Sequence, residues 1–520
     1  MRRMSVLKLV CPVVFLLAAC GLGGSAEPPA LATATTVRAA PVPLIPTLAR
    51  QPQIISSAAP LAAPAVSADC EIAPDGPAVR HTVTANLNYE QRALVVAQQV
   101  RLANRGDDAL AEIVFNVEPT LWPNAFTLAR VALGADMPLP GYELTGERLT
   151  VALPTPLEPG CALTVRLDFR LDAPLIGEDV GRYRGYFGYS PRQLNLGHWL
   201  PTVAPRIAGE WVTHPPAGVG EQVVLDVADW DVTLNVNSAP ETLVIAAPGE
   251  QSRLGEHTWR FVLPAARDFT LSLSDAYQVG SQQTASGVLV EVYSFADDRT
   301  ATRPGRQRLA SSAAHALETA ARSLEMYSDL YGAYPYERLV VVQADFPDGM
   351  EFSGLVFVGG SWFMRYRGDP ADYLTLITVH EIAHQWWYGL VGSDQALAPW
   401  LDEALATYSE YVFLEEYYPE LKDWWWSFRV DAYTPAGVID GNVYQFSTVR
   451  EYINAAYLLG ARMLHNLRAD LGTNAFFDLL RRYVEAGRGR IATPDLFWAL
   501  LAPEQAEATA DTRRRYFRDH

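Results

Sequence analysis

Between about residues 73 and 282 the chain alternates. Leu163, Val165, Leu167 and Phe169 are separated by Thr164, Arg166, Asp168 and Arg170, and Val232, Leu234 and Val236 by Thr233, Asn235 and Asn237. Period two is the mark of strands with one face buried. Turn signals such as Asn104-Arg105-Gly106-Asp107 and Pro159-Gly160 punctuate it. The pattern predicts an antiparallel β-domain of sandwich or saddle type over 73–282. After the strand expected at Val288–Tyr293 the period lengthens. Leu309, Ala313, Leu317, Ala320, Leu324 and Tyr327 recur at helical spacing, and Gly332 and Pro335 follow as stop signals. A β-branched run at Leu339–Val342 predicts a strand, and helical patterns dominate beyond 370. Residues 283–520 are therefore expected to form an α+β, mainly helical domain.

The N-terminus has no core-forming pattern. Arg2, Arg3 and Lys8 precede an apolar run from Leu9 to Ala19 that ends Leu17-Ala18-Ala19-Cys20. The run is too short to span a bilayer and suits a secretory signal. Its ending resembles a bacterial lipobox, which predicts a signal peptide over 1–20, a lipid on Cys20 and tethering to the cell envelope outside the cytoplasm. Residues 21–72 are rich in Ala, Pro, Thr and Ser, as expected of a disordered tether. With Cys11 removed and Cys20 acylated, Cys70 and Cys161 remain, and an oxidising compartment favours a disulfide between them.

Composition narrows the function. The formal charge of −18 lacks the basic footprint that nucleic acid demands, so no nucleic-acid partner is expected. Two of the 41 basic residues are lysines, Lys8 and Lys422.

The segment that carries chemistry is Val379-His380-Glu381-Ile382-Ala383-His384-Gln385-Trp386-Trp387. On a helix His380 and His384 lie one turn apart on one face, and Glu381 is close enough to reach a metal-bound water. Two imidazoles and one carboxylate make a catalytic zinc set with an open fourth position. Glu403, in Trp400-Leu401-Asp402-Glu403, stands far enough downstream for a second, antiparallel helix to bring it back as the third ligand.

These residues resemble the gluzincin metallo-aminopeptidases related to aminopeptidase N. The likeness runs from about residue 75 onward and is strongest over His380–Glu410. Tyr334-Pro335-Tyr336 and Gly349-Met350-Glu351 look like the family's exopeptidase region, and Tyr457-Leu458-Leu459-Gly460-Ala461 like its Tyr-x-Lys-Gly-Ala segment. Gln193-Leu194-Asn195 and Arg267-Asp268-Phe269 fit its N-terminal β-domain. The resemblance implies a thermolysin-like catalytic domain over 283–520 with one Zn2+ held by His380, His384 and Glu403. It implies Glu381 as general base and Tyr457 as hydrogen-bond donor to the oxyanion. It also implies Glu351 as the partner of the substrate α-ammonium, with Gly349 and Met350 offering backbone groups to an extended peptide and Gln193 helping to hold the amine. Peptides with a free N-terminus are the expected substrates.

Other readings stay open at this point. Thr407 either orients a ligand or has a capping or packing role, and Trp424-Trp425-Trp426 lines a side-chain pocket, binds a partner or is core. The family's Gly-x-Met-Glu-Asn ends here in Phe352, and its Lys is Leu459, which loosens the expectation of strict amine-end selection. The short reach of the chain beyond the peptidase region leads one to expect an open cleft. The rivals are a zinc endopeptidase of the same fold and a non-catalytic surface binding protein that retains it.

Overall fold

The computed structural model describes residues 69–70, 72, 75–134, 137–139, 141–177, 185–296 and 303–518. The signal sequence, Cys20 and residues 21–68 of the expected tether lie outside them. Among the described residues no helix is long and apolar enough to cross a membrane.

The β-domain is built on an eight-stranded sheet. Its order is Glu250–Gly255, Thr258–Ala266, Ala228–Asn237, Val79–Asn88, Ala93–Ala103, Ala162–Asp172, Phe126–Leu133 and Met137–Pro138. Along Ala228–Asn237 buried and half-buried positions alternate as the period-two pattern requires. Two four-stranded sheets and a two-stranded hairpin, Arg206–Ile207 with Glu210–Trp211, join this sheet. Trp122, Phe169, Trp199, Trp230, Phe261 and Phe269 fill the core between the sheets.

One feature corrects the antiparallel expectation. Val79–Asn88 pairs with Ala228–Asn237 in parallel. The whole stretch between them acts as the crossover that a parallel pair needs, and alternation is the same for either direction. The Cys70–Cys161 disulfide is formed, and Asp69 bridges Ala162. The last residues assigned to the tether are thus tied to the β-domain.

The expected boundary at 282/283 is also displaced. Tyr277–Gln283 pairs with Leu289–Phe295 and opens a second sheet, in the order Tyr277–Gln283, Leu289–Phe295, Arg338–Ala344, Leu355–Gly359, Gly349–Met350. A boundary at 282 would cut this hairpin. Period two does not mark the junction, because strands lie on both sides of it. The second sheet is covered on both faces. Val340, Val342 and Ala344 join the β-domain core, while Leu339 and Val341 join the helical core. Burial on both sides explains why this strand reads as an unbroken apolar run.

Three helices position the chemistry. Tyr373–Ala383 starts at Asp372, whose carboxylate accepts from Leu374 N at 2.9 Å. It is buried from Leu374 to Ala383. The chain leaves helical geometry at Trp387 and Tyr388, then turns back into Trp400–Tyr417. A wide turn at Ile453–Leu459 leads into Gly460–Leu471. Gly460 lets this helix approach closely, since a Cβ there would lie 2.5 Å from Ala404 Cβ. That contact brings Tyr457 against the helix of Glu403.

Candidate active site

His380 and His384 emerge one turn apart and meet Glu403 from the returning helix. The two Nε2 atoms are 3.2 Å apart. Glu403 Oε2 lies 3.3 Å from Nε2 of His380 and 3.5 Å from that of His384. The other ring nitrogens are occupied. His380 Nδ1 is 3.0 Å from Glu410 Oε1, and His384 Nδ1 is 2.5 Å from Asp402 Oδ1. An Nδ1–H that donates to a carboxylate leaves the Nε2 lone pair free. Two such lone pairs and a carboxylate oxygen then point at one another.

The electrostatics favour a cation where these atoms meet. Burial pulls both imidazoles towards neutrality. Hydrogen bonds that His380 donates to the Glu403 and Glu410 carboxylates nevertheless push it up to about 9, and the Asp402 carboxylate raises His384 well above the ordinary range. Burial opposes ionisation of Glu403 too, yet the two imidazoles hold its carboxyl low. The surroundings favour positive charge where the three donors meet. The donor set and its neighbours therefore fit a zinc ion.

Glu410 is itself fixed. It accepts from Trp425 Nε1 at 3.0 Å and from Arg429 Nε and Nη2, both at 2.9 Å. Trp425 is thus a structural donor, which answers the open reading of that aromatic run. Thr407 Oγ1 is buried without a hydrogen-bond partner, so Thr407 packs and orients no ligand.

Glu381 is buried, and its Oε2 has no hydrogen-bond partner. Burial raises its carboxyl well above the usual range, and the two imidazoles oppose the rise. Gly349 faces it so closely that any Cβ would overlap the carboxylate. Gly349 is therefore a spacer for the base, and among the described residues its strand, at the edge of the sheet, has a strand neighbour on one side only. Tyr457 donates its hydroxyl to Glu403 Oε1 at 2.5 Å, and its ring lies parallel to His380 at 5.8 Å.

Glu351 also reaches this centre. One carboxylate or ring atom from each of Glu351, His384 and Asp402 lies within 4.8 Å of the others. Gln395 Nε2 sits among three carboxylates, 2.7 Å from Asp402 Oδ2, 3.1 Å from Glu221 Oε2 and 3.2 Å from Glu351 Oε1. One NH2 group has two hydrogens for three anions. Burial, and next the Glu351 charge, push the Glu221 carboxyl well above its normal range. The pocket is short of positive charge.

One expected contact fails. Gln193 is buried and all its amide groups are engaged. Nε2 donates to Tyr277 Oη and Gln343 O, and Oε1 accepts from Asp345 N and Asn195 Nδ2. It joins the β-domain to the catalytic sheet and offers no group to a substrate amine. Met350 turns its side chain into the β-domain core, and the role expected of it involves its backbone alone.

Sequence reasoning missed Asp402, Glu410, Glu221 and Gln395. Asp402 adjoins a ligand and Glu410 stands two turns beyond Glu403 on the same helix face, so helical spacing alone offered a signal for both. Glu221 sits in an irregular β-domain loop and had none.

Residues 315–512 match the description "Peptidase family M1 domain". This part of the chain is an M1 peptidase domain. The likeness to aminopeptidase N-like gluzincins holds across curated relatives. Aminopeptidase M1-B of Oryza sativa subsp. japonica is 26% identical over 211 residues, covering 38% of this chain and 24% of the relative. Endoplasmic reticulum aminopeptidase 1 of Homo sapiens is 30% identical over 238 residues, covering 43% and 24%. Aminopeptidase N of Lactobacillus helveticus is 24% identical over 360 residues, covering 65% and 40%. The chain thus spans only about a quarter to two-fifths of the length of these relatives. An M1 zinc metallopeptidase from Deinococcus radiodurans shares the two-domain fold with a TM-score of 0.60 at 19% identity, over 86% of this chain and 96% of that one. A mutant of it bound to a Tyr-Ser-Ala substrate gives 0.59 at 19%, with the same coverage. The M1 domain implies a catalytic Zn2+.

Proposed function

We propose that this protein is a zinc-dependent aminopeptidase that removes the first residue of peptides. The observation that carries the reading is the junction of a metal-ligand triangle, His380–His384–Glu403, with a carboxylate cluster short of positive charge, Glu351–Glu221–Asp402. They share the Asp402–His384 pair. Zinc held by His380, His384 and Glu403 would supply the Lewis acidity that activates water and polarises the scissile carbonyl. Glu381 takes the proton of the attacking water and delivers it to the leaving amine. A raised carboxyl pKa suits both halves of that task. Tyr457 presents a hydroxyl beside the metal site and donates to the carbonyl oxygen as negative charge develops. Glu351 and Glu221 bind the α-ammonium, which brings the positive charge their pocket lacks. An extended substrate lies along the free edge of Gly349–Met350 by strand addition.

The test is a panel of chromogenic aminoacyl amides, free and N-acetylated, with zinc-loaded and chelated protein. Turnover that needs both zinc and a free amine is expected. Equal cleavage of free and acetylated substrates would make the protein an endopeptidase. No turnover on any peptide would leave the binding-protein rival.

Export and a lipid on Cys20 belong to the same proposal. They are supported by the Leu17-Ala18-Ala19-Cys20 sequence and by a disulfide that needs an oxidising compartment. Cys20→Ser should release the protein from the membrane fraction and abolish labelling by a fatty-acid probe. Unchanged labelling refutes the anchor.

A further inference from the structure

The turn Glu351-Phe352-Ser353-Gly354 carries the carboxylate that meets the substrate amine, and it is held from two sides. On one side stands Gln385, the residue after His384. Its Nε2 donates to Phe352 O at 3.0 Å, and its Oε1 accepts from Gly354 N at 2.8 Å. On the other side stands the β-domain dipeptide Arg267-Asp268. Asp268 Oδ1 accepts from Ser353 N at 3.2 Å, and Arg267 N donates to Ser353 Oγ at 3.1 Å.

The same dipeptide grips the irregular segment that follows His384. Asp268 Oδ2 accepts the Tyr388 hydroxyl at 2.5 Å. The Arg267 guanidinium donates to the carbonyls of Tyr388 and Leu390, the latter at 3.4 Å. It also donates to Leu225 O at 2.7 Å and Arg490 O at 2.9 Å. Both side chains are fully buried. Burial lowers the arginine pKa and raises that of the aspartate. Burying a cation and an anion is costly, and an apolar pair of similar volume would be cheaper for packing alone. The hydrogen bonds instead converge on the two segments that flank the site.

We propose that Arg267 and Asp268 are positioning residues which, with Gln385, lock the Glu351 turn at a fixed distance from the metal-binding helix. That distance is the ruler for a one-residue cut. The proposal rests on the aminopeptidase reading. The β-domain is then part of the catalytic apparatus without touching substrate, and the two pockets are set as one rigid unit.

Two measurements test it on the full chain. Hydrogen exchange reads the holding directly. Asp268→Asn should speed exchange at Ser353 and Gly354 at least tenfold, while Tyr373–Ala383 keeps its protection. Tyr388→Phe removes one hydrogen bond and Ser353→Ala the two made by its hydroxyl, and each should show the same change to a smaller degree, which keeps the test open if the aspartate variant fails to fold. Unchanged exchange in all three overturns the proposal. Kinetics read the consequence. Asp268→Asn should raise KM for a free aminoacyl amide about tenfold with kcat nearly kept, and should weaken the preference over the N-acetylated amide. In a Glu351→Gln background the same substitution should change KM less than twofold, because the group it positions is already gone. Equal factors in both backgrounds overturn the proposal. If the wild-type protein itself does not discriminate the two amides, the aminopeptidase reading falls and exchange alone decides this one.

Discussion

The metal triangle and the amine pocket are neighbours built on opposite electrostatic terms. At the triangle every charge has a local answer. Glu410 holds His380 and is paired with Arg429, Asp402 holds His384, and the two imidazoles keep Glu403 ionised. At the amine pocket three carboxylates share one amide nitrogen, and burial raises the Glu221 carboxyl. The first region is finished for a resident ion. The second is left short of positive charge, and on the proposed function the ammonium group of a substrate is the cation that would complete it. A site that binds a cation transiently has to be uncomfortable when empty, because a fully satisfied pocket would gain nothing from the ligand.

The contrast can be broken in graded steps. The largest effect is expected from Glu381→Gln, which removes the base and leaves both pockets standing. kcat/KM should fall by about 10³-fold with zinc content unchanged by metal analysis. Loss of zinc in this variant would mean that Glu381 belongs to the triangle. Glu351→Gln removes the amine's anchor. It should cost about 10²-fold in kcat/KM for free aminoacyl amides, in the range of a charge-assisted hydrogen bond, and leave N-acetylated substrates unaffected. Glu410→Gln acts on the triangle alone. Zinc affinity should drop by about 10- to 100-fold in a chelator competition, with the free-amine preference intact. An altered preference there would show that the regions are not separable.

The smallest effect sharpens the comparison most. Glu221→Gln should weaken amine binding by roughly tenfold while it stabilises the unliganded protein by about 1–3 °C in Tm. The sign follows from the raised carboxyl. At pH values below the ordinary carboxylate range Glu221 is protonated whether folded or unfolded, so the substitution gains nothing. As pH rises the unfolded chain ionises first and the folded wild-type protein loses stability relative to it. The gap between variant and wild type should therefore open from acid to neutral pH. A constant gap would place the effect in packing.

Much of this was legible without coordinates. His380, His384 and Glu381 follow from helical spacing, and Glu403 from a gap long enough for a returning helix. The helix ending at Tyr331 with Gly332, and the strand at Arg338–Ala344, were signalled by stop residues and β-branched composition. Gln193 misled because a polar residue in a matching motif looks alike whether it serves a substrate or an interface. The 282/283 boundary misled because alternation does not stop where one sheet ends and the next begins.

What the sequence determined by itself was the part of the site written along single helices, where residue identity and spacing fix both neighbours and direction. Only the tertiary structure decided which carboxylates stand behind the imidazoles, that Glu221 and Gln395 meet Glu351, and that Arg267-Asp268 grips the turn beside it. Those contacts join segments from two domains. Their distances are set by how the sheets and helices pack, and spacing along the chain carries no record of that.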